Sequence, residues 1–481
     1  MRQLRGGDHL WFALETDHAP LHFVGAAVYD PSTRRGGTVD VADLKLAVGR
    51  EVHRLPLRER LLTAPWRLDL PYWIDADDFD IDDHIGEITL RPLGGRDAFR
   101  AAITDFLEAP FDRSRPLWEM RLIRDLTGIE DFPDGSFAVL VRVHHGQFDG
   151  TTALRLLDSL HTPPSEPEAE RPGLRRAERT PTRSELIARA PWHFLERSSR
   201  AAAVAYRLAP TLGRRLTRRP STTGAAAPVP RTRFSSHLAS SRRVFDFLQL
   251  PLDEITAIKE RVDGATVNDV ASTIAGGALR RFLQSHDELP DSPLVVVMPV
   301  SAHDRDTEAL TVNRNSQMTA TVHTELADPL DRLRKVCAAS TRSKRATRDV
   351  GTRNIADLID ALPTNALDLL AEPLSRSRIL ERLPLPFSGI TLTNVPGPRE
   401  TLHFDGARMV TLLGATFLLD GLGLIIAVTS YCDQLIITFT STPEAVPDPA
   451  LLASAFRESF EELRHAATTE PAAVPESTVA P

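Results

Sequence analysis

Cysteine is almost absent from this sequence: among 481 residues only Cys337 and Cys432 occur. Two thiols cannot build a disulfide framework, and such sparing use suits a reducing cytosol. Long apolar runs are missing too. The most hydrophobic stretch, about Leu412 to Val428, is broken by Asp420 and several glycines. It falls short of the roughly 18–20 clean apolar residues that a membrane-spanning helix needs. Any membrane contact is therefore expected to be peripheral. The opening residues, MRQLRGGDHLWF, show no apolar core of a secretory signal, so a cytoplasmic protein is expected. The net charge is −8, which argues against a generic nucleic-acid binder. No self-similarity with a period of 20–50 residues is visible, which excludes a repeat array.

What is present is ordinary for a globular protein, with 42% hydrophobic and 25% charged residues. The length suits two large subdomains. Residues 1–160 alternate strand-like and helix-like patterns, and residues 241–465 do so again. That predicts an α/β fold with mixed sheets. Residues 161–240 read as a crossover between the halves, and 466–481, rich in Ala, Pro, Thr and Glu, as a disordered tail. Between Arg171 and Arg219 the crossover carries thirteen arginines against three glutamates, an excess of ten positive charges. The rest of the chain then holds about −18. Phe194, Ala201, Ala205, Leu208 and Leu212 recur at helical spacing, with Arg197, Arg200, Arg207 and Arg214 mostly off that face. The preferred reading packs the apolar face on the protein. The alternative lays a basic amphipathic helix on an anionic membrane or droplet surface. The segment has no interleaved aromatic stacking sites, so a nucleic-acid partner is not expected.

The most informative segment is SFAVLVRVHHGQFDGTTALRLLDSL, residues 136–160. Phe137, Val139, Val141 and Val143 alternate, and the opposite face is also largely apolar, so an internal strand is predicted. After His145 the pattern changes. Gly146 and Gly150 permit unusual backbone angles, and Thr151–Leu160 reads as a helix. The two histidines thus fall at the end of a strand before a loop and a helix, where open α/β sheets place ligands. Neighbours on a strand face opposite ways, so one histidine can face a cleft while the other packs. Asp149, across the turn, can hold the loop. No third ligand stands at a metal-like spacing, so no metal is expected. The functional alternative to structural histidines is general-base catalysis by a neutral imidazole.

HHGQFDG fits HHxxxDG, the active-site motif of the acyltransferase superfamily that includes chloramphenicol acetyltransferase, carnitine acyltransferases and peptide-synthetase condensation domains. Chance would supply its four fixed positions in about one protein in several hundred. From about residue 4 to 460 the chain resembles the wax ester synthase/diacylglycerol acyltransferase family. LRGGDHLWFALETDHAPLHFVGAAVYD resembles that family's opening, and WIDADDFDIDDHI its next block. FDRSRPLWEMRLI carries its PLW signature at Pro116, Leu117 and Trp118. ATVNDVASTIAGGALRRFL carries its NDV signature at Asn268, Asp269 and Val270. TNVPGPRETLHFDGARM, SYCDQL and VPD resemble its C-terminal blocks.

The resemblance implies two chloramphenicol-acetyltransferase-like subdomains with an active-site tunnel between them. It implies an O-acyltransferase that takes acyl-CoA as co-substrate, needs no cofactor, and acylates a long-chain alcohol or diacylglycerol. His145 would be the general base, with His144, Asp149 and Gly150 completing the motif. Asn268 would be an oxyanion donor at a helix start. Gly146, Pro116, Leu117, Trp118 and Asp269 would border substrate. A lipid-inclusion surface and a homodimer are compatible with it. The bare residues also read more plainly: PLW as core packing, and Thr266 with Asp269 as a helix-capping box. NVPGP reads as a rigid turn, and Asp448-Pro449 as a helix start. Two departures from the family pattern occur. The arginine expected two residues after Ser301 is His303, with Arg305 shifted, leaving open which pairs with Asp149. The family's Gly-Asn is here Val312-Asn313. A condensation-type enzyme with the same motif and a non-catalytic lipid-binding protein are the competing readings.

Overall fold

Two six-stranded sheets dominate the computed structural model, which describes residues 1–37, 39–52, 55–90, 94–148, 156–157, 160–161, 179–217, 229–301, 315–349, 353–376 and 387–469. The first contains β2 (His22–Asp30), β5 (Ile85–Glu87), β6 (Trp118–Leu126), β7 (Ser136–His144), β12 (His403–Phe404) and β13 (Ala407–Thr416), in the order β12-β13-β2-β7-β6-β5. The second contains β8 (Val244–Pro251), β9 (Val295–Ser301), β10 (Asn315–Thr321), β11 (Ile390–Val395), β14 (Leu424–Tyr431) and β15 (Gln434–Ser441), in the order β10-β9-β11-β14-β15-β8. Both are mixed, as expected: β5 runs parallel to β6, and β11 parallel to β9 and β14, while the other pairs are antiparallel. A small sheet, β1 (Arg2–Gln3), β4 (Tyr72–Asp75) and β3 (Glu59–Leu62), closes one end of the first half.

β7 is the internal strand that the alternation predicts. All nine of its residues are buried, because β2 and β6 flank it and both its faces are covered. Arg142 is tolerated there because its guanidinium donates to the Phe106 carbonyl at 2.8 Å, pairs with Glu119 at 3.0 Å and lies over the Phe111 ring at 4.3 Å. In the second half, α6 (Val267–Gln284) starts with the expected capping box: Thr266 accepts from the Asp269 N–H, and Asp269 from the Thr266 N–H. Asp448 caps α10 (Pro449–Thr469), accepting from the Ala450 N–H at 2.9 Å. That helix runs through Thr469, so the first four residues assigned to a disordered tail are helical; the remainder of that tail lies outside the described residues.

The sheets do not follow the linear halves. β12 and β13, from near the end of the chain, complete the first sheet, with β13 pairing β2 over eight positions. A second tie crosses from α3 (Gly95–Glu108) to β8. Arg96 holds Asp246 at 2.8 Å, Arg100 holds its other oxygen, and Asp246 is buried.

The crossover does contain a helix, α4 (Arg183–Thr217), but its inner face differs from the expectation. Leu186, Ala190 and Val204 are buried, whereas Phe194 is 50% and Trp192 70% exposed. Polar side chains seat the helix. Arg197 donates to the Asp360 carbonyl at 3.0 Å and to Gln3 at 3.2 Å, and His193 meets Asp69 at 2.5 Å. An apolar-face rule is blind to such anchors. The side chains of Leu208, Leu212 and Arg214 lie outside the described residues.

Replacing Asp246 with Ala would leave two arginines facing each other without their shared carboxylate. Because Arg96 keeps Asp131 and Arg100 keeps Asp97, a loss of about 1–3 kcal/mol in unfolding free energy is expected in denaturant titration; a change below about 0.5 kcal/mol would show that the tie is dispensable.

Candidate active site

The chain reverses after β7 in a tight turn. The Gln147 and Phe148 N–H groups both donate to the His144 carbonyl at 3.0 Å. His144 ends the strand opposite His22 of β2 and is buried, whereas His145 is half-buried. His145 falls just past β7, in the turn, so strand alternation does not set its ring. The histidines lie against two consecutive residues of α1 (Gly6–Leu14): His144 stacks on Phe12 at 4.3 Å and 5°, His145 on Trp11 at 4.2 Å and 13°. Phe417, from the loop after β13, meets the His145 ring edge at 5.1 Å, and Phe23 approaches at 6.2 Å. Helix α1 is itself pinned: the Gly7 N–H donates to Asp360 at 2.9 Å, and His9 meets Asp368 at 2.8 Å.

Glu15, just past α1, organises the buried side. One oxygen lies 3.1 Å from Nε2 of His22, the other 3.3 Å from Nε2 of His144, and the Arg113 guanidinium also pairs with it. Burial would raise the Glu15 pKa, but the hydrogen bonds from His144 and His22 outweigh it and hold the carboxyl well below its usual range. Burial pushes His144 down to about 4, against the hydrogen bond and charge of Glu15. His144 is therefore a neutral imidazole near pH 7. Its Nδ1 accepts from the Gly146 N–H at 2.9 Å, so Nε2 carries the proton and donates to Glu15.

Gly146 is needed for space. A Cβ there would sit 2.4 Å from the Phe12 ring. Its φ is not positive, so unusual backbone angles are not the reason. Gln147 binds the loop to the start of β3 and the residues before it, donating to the carbonyls of Pro56 and Glu59 at 3.1 Å and accepting from the Leu117 N–H at 3.0 Å. Pro116, Leu117 and Trp118 are buried. Leu117 packs with Phe12 and Trp73, and its carbonyl accepts from the His144 N–H at 3.0 Å. Trp118 donates to the Leu57 carbonyl at 2.7 Å and stacks on His84. These contacts help to position the histidine turn.

Asn268 lies in the first turn of α6, and its Oδ1 accepts from Asn394 of the NVPGP turn at 3.2 Å. The Asp269 carboxylate bonds both the N–H and hydroxyl of Thr266, at 2.9 and 2.7 Å. Asp149, Gly150, His303, Arg305, Val312 and Asn313 lie outside the described residues, as does most of the helix expected at 151–160. Sequence reasoning did not find Trp11, Phe12, Glu15, His22, Phe417 or Gln147. The opening block that resembles the family contains four of them, but nothing in their spacing gives them a role. The structure also gathers Glu15, His22 and His144 with ligand atoms within 4.8 Å of one another, and likewise His18, His237 and Asp420. A cavity of about 260 Å³ borders Glu15, lined by Phe12, Ala13, Arg67, Arg113, Asp368 and Glu372.

Because the folded state holds His144 neutral, the unfolded chain takes up its proton first on acidification. Stability from this group is complete above pH 6.5 and lost as pH falls from 6.5 to about 4. Its share is about 3 kcal/mol. Denaturant titrations across that window should show a steeper decline in the wild type than in His144→Gln; parallel curves would refute the assignment.

Residues 4–271 match the wax ester synthase/diacylglycerol acyltransferase catalytic domain, and residues 312–464 the C-terminal domain of the same family. A Mycobacterium tuberculosis protein assigned as a diacylglycerol O-acyltransferase is 31% identical over 477 residues, covering 98% of this chain and 92% of its own. An O-acyltransferase of Acinetobacter baylyi is 26% identical over 455 residues, 93% of each chain. Among solved structures, the wax ester synthase/diacylglycerol acyltransferase of Marinobacter aquaeolei aligns with a TM-score of 0.67 at 24% identity, over 97% of this chain and 100% of that one. A starter condensation domain of rhizomide synthetase, solved with C8-CoA, aligns at 0.51 and 14% identity, over 97% and 95%. At these identities the two structures speak for the fold, which is the condensation-type architecture of two sheet-rich halves. The family matches, which span most of the sequence, speak for more: the chain belongs to the wax ester synthase/diacylglycerol acyltransferase family and is an acyltransferase.

Proposed function

We propose that the protein transfers an acyl group from acyl-CoA to the hydroxyl of a long-chain alcohol or a diacylglycerol, with His145 as general base. The observation that carries this is the division of labour between the two histidines. His144 is buried, neutral and hydrogen-bonded to Glu15, whereas His145 is half-buried between Trp11 and Phe417. In the reaction, His145 takes the acceptor's hydroxyl proton as the oxygen attacks the thioester carbonyl. It returns that proton to the departing CoA thiolate. A site that holds both reactants needs no acyl-enzyme intermediate.

The oxyanion requires donors, and the turn has none to spare between residues 144 and 148. The His144 and His145 N–H groups are bonded to the carbonyls of Leu117 and Leu21, that of Gly146 to the His144 ring, and those of Gln147 and Phe148 to the His144 carbonyl. The Gln147 amide is also engaged. Among the described residues, Asn268 is the donor favoured by its place at the positive end of α6. Its carbonyl already accepts from Asn394, which leaves its NH2 to donate. The proposed acyl tunnel passes His145, between the first sheet and the loop bearing Phe417.

No described helix is long and apolar enough to cross a membrane. Trp192, Leu195 and Tyr206 on α4 are 70%, 63% and 83% exposed, beside the outward arginines 189, 200 and 207. Aromatic and aliphatic side chains set among cations suit an anionic lipid surface, which would bring the enzyme to its apolar acceptor.

CoA release from palmitoyl-CoA, with hexadecanol or dipalmitoylglycerol as acceptor, tests the proposal. Acceptor-dependent thiol release should be abolished in His145→Ala. Turnover persisting in that variant, or no turnover with either acceptor, would refute it. Asn268→Ala should lower kcat by about 100- to 1,000-fold with little change in KM; an effect confined to KM would remove Asn268 from the oxyanion site.

A further inference from the structure

Three segments remote in sequence meet beside the active site, each bringing one metal-binding side chain. His18 comes from the stretch between α1 and β2, His237 from the chain leading into β8, and Asp420 from the loop between β13 and β14. Nε2 of His18 lies 3.7 Å from one Asp420 oxygen, and Nδ1 of His237 lies 2.8 Å from the other. The two rings are 5.1 Å apart at 57°. All three ligand atoms fall within 4.8 Å of one another. Zinc bonds of about 2.0–2.2 Å at tetrahedral angles need ligand atoms about 3.3 Å apart, which lies inside this range. Nε2 of His18 is shielded from solvent and makes no hydrogen bond among the described residues. Asp420 is buried, and its Oδ1 accepts from the Leu238 N–H at 2.8 Å. That contact orients the carboxylate as an outer-shell hydrogen bond does in metal sites. An apolar cluster of Ala19, Leu238, Leu418 and Ile425 joins the same three segments.

We propose that His18, His237 and Asp420 form a divalent-metal site of the zinc type. Two imidazoles and a carboxylate are borderline ligands that suit zinc and cobalt better than calcium or magnesium, and three protein ligands leave a fourth position for water. The metal clamps the loop that carries Phe417, three residues from Asp420, onto the segment that follows Glu15. It would thus hold both walls of the histidine pair. The second acid–histidine cluster, Glu15 with His22 and His144, is less suited, because the Arg113 guanidinium already pairs with its carboxylate. A buried cation, Arg243, lies close to the proposed site and interacts electrostatically with Asp420. It donates to the carbonyls of His18, Ser240 and Arg242, at 2.7, 2.9 and 2.9 Å. Glu108, which accepts from the Arg243 N–H, and Glu444 offset its charge.

The test is cobalt titration of untagged, chelator-stripped enzyme, followed by the visible d–d absorbance of the bound ion, with zinc competition and thermal melting alongside. Wild type should take up one Co2+ per chain, release it to Zn2+, and melt higher with Zn2+. Outer-shell changes alone weaken metal sites by about 10–100-fold. His237→Ala and Asp420→Asn should therefore weaken binding by at least about 100-fold, and the carboxamide oxygen introduced by the second change still offers an acceptor to the Leu238 N–H. His22→Ala should bind as wild type does. No saturable uptake by wild type, uptake unchanged in His237→Ala, or uptake lost in His22→Ala would each overturn the site. Should a variant fail to fold, zinc X-ray absorption of the wild type and of His144→Gln decides: two imidazole ligands in both support the site, and fewer in either refute it.

Discussion

A carboxylate placed away from water must be met by donors, and here Glu15 is met by His22, His144 and Arg113. Most of the active-site geometry follows from that. Donation to Glu15 fixes the His144 tautomer, which frees Nδ1 to accept the Gly146 N–H and so sets the turn. His145 is the first residue past β7, where its N–H donates to the Leu21 carbonyl at 3.0 Å and its ring lies on Trp11. The two aromatic rings of α1 then sandwich the arrangement, each stacked on one imidazole. A helix of nine residues could not hold such rings alone. Its contacts with Asp360 and Asp368 make it a fixed wall.

Local chemistry was readable in the sequence wherever the partners lie within a few residues. The buried strand ending at His144, the Thr266–Asp269 box and the Asp448–Pro449 helix start are all of this kind. So was the HHxxxDG motif, on which the role proposed for His145 rests. The supporting residues were not readable, because their partners are far apart: Glu15 and His144 are separated by 129 positions, and Phe417 reaches His145 from the opposite half of the chain. Hydrophobic spacing also chose the wrong inner face for α4. There His193 and Arg197 turn inward to hydrogen-bond Asp69 and the Asp360 carbonyl, and aromatic residues are left outside. Nor could spacing reveal the meeting of His18, His237 and Asp420, which come from three separate segments.

The division into halves is likewise a property of the linear chain more than of the sheets. Asp246 ties β8 to α3 by two arginines, and β13 supplies the neighbour of β2. The histidine turn therefore lies beside strands drawn from both parts of the chain.

The pairing of β2 with β13 also bears on how the protein is made. On the ribosome, residues 22–30 emerge nearly four hundred positions before their partner at 407–416. Until then β2 is an unpaired edge of apolar sequence, the kind of surface that recruits other strands. Contacts so distant along the chain form late and slowly. The first sheet therefore cannot close during synthesis of its own half. The nascent chain must keep that edge sheltered until nearly all of the polypeptide has been released, and efficient production should depend on chaperone occupancy.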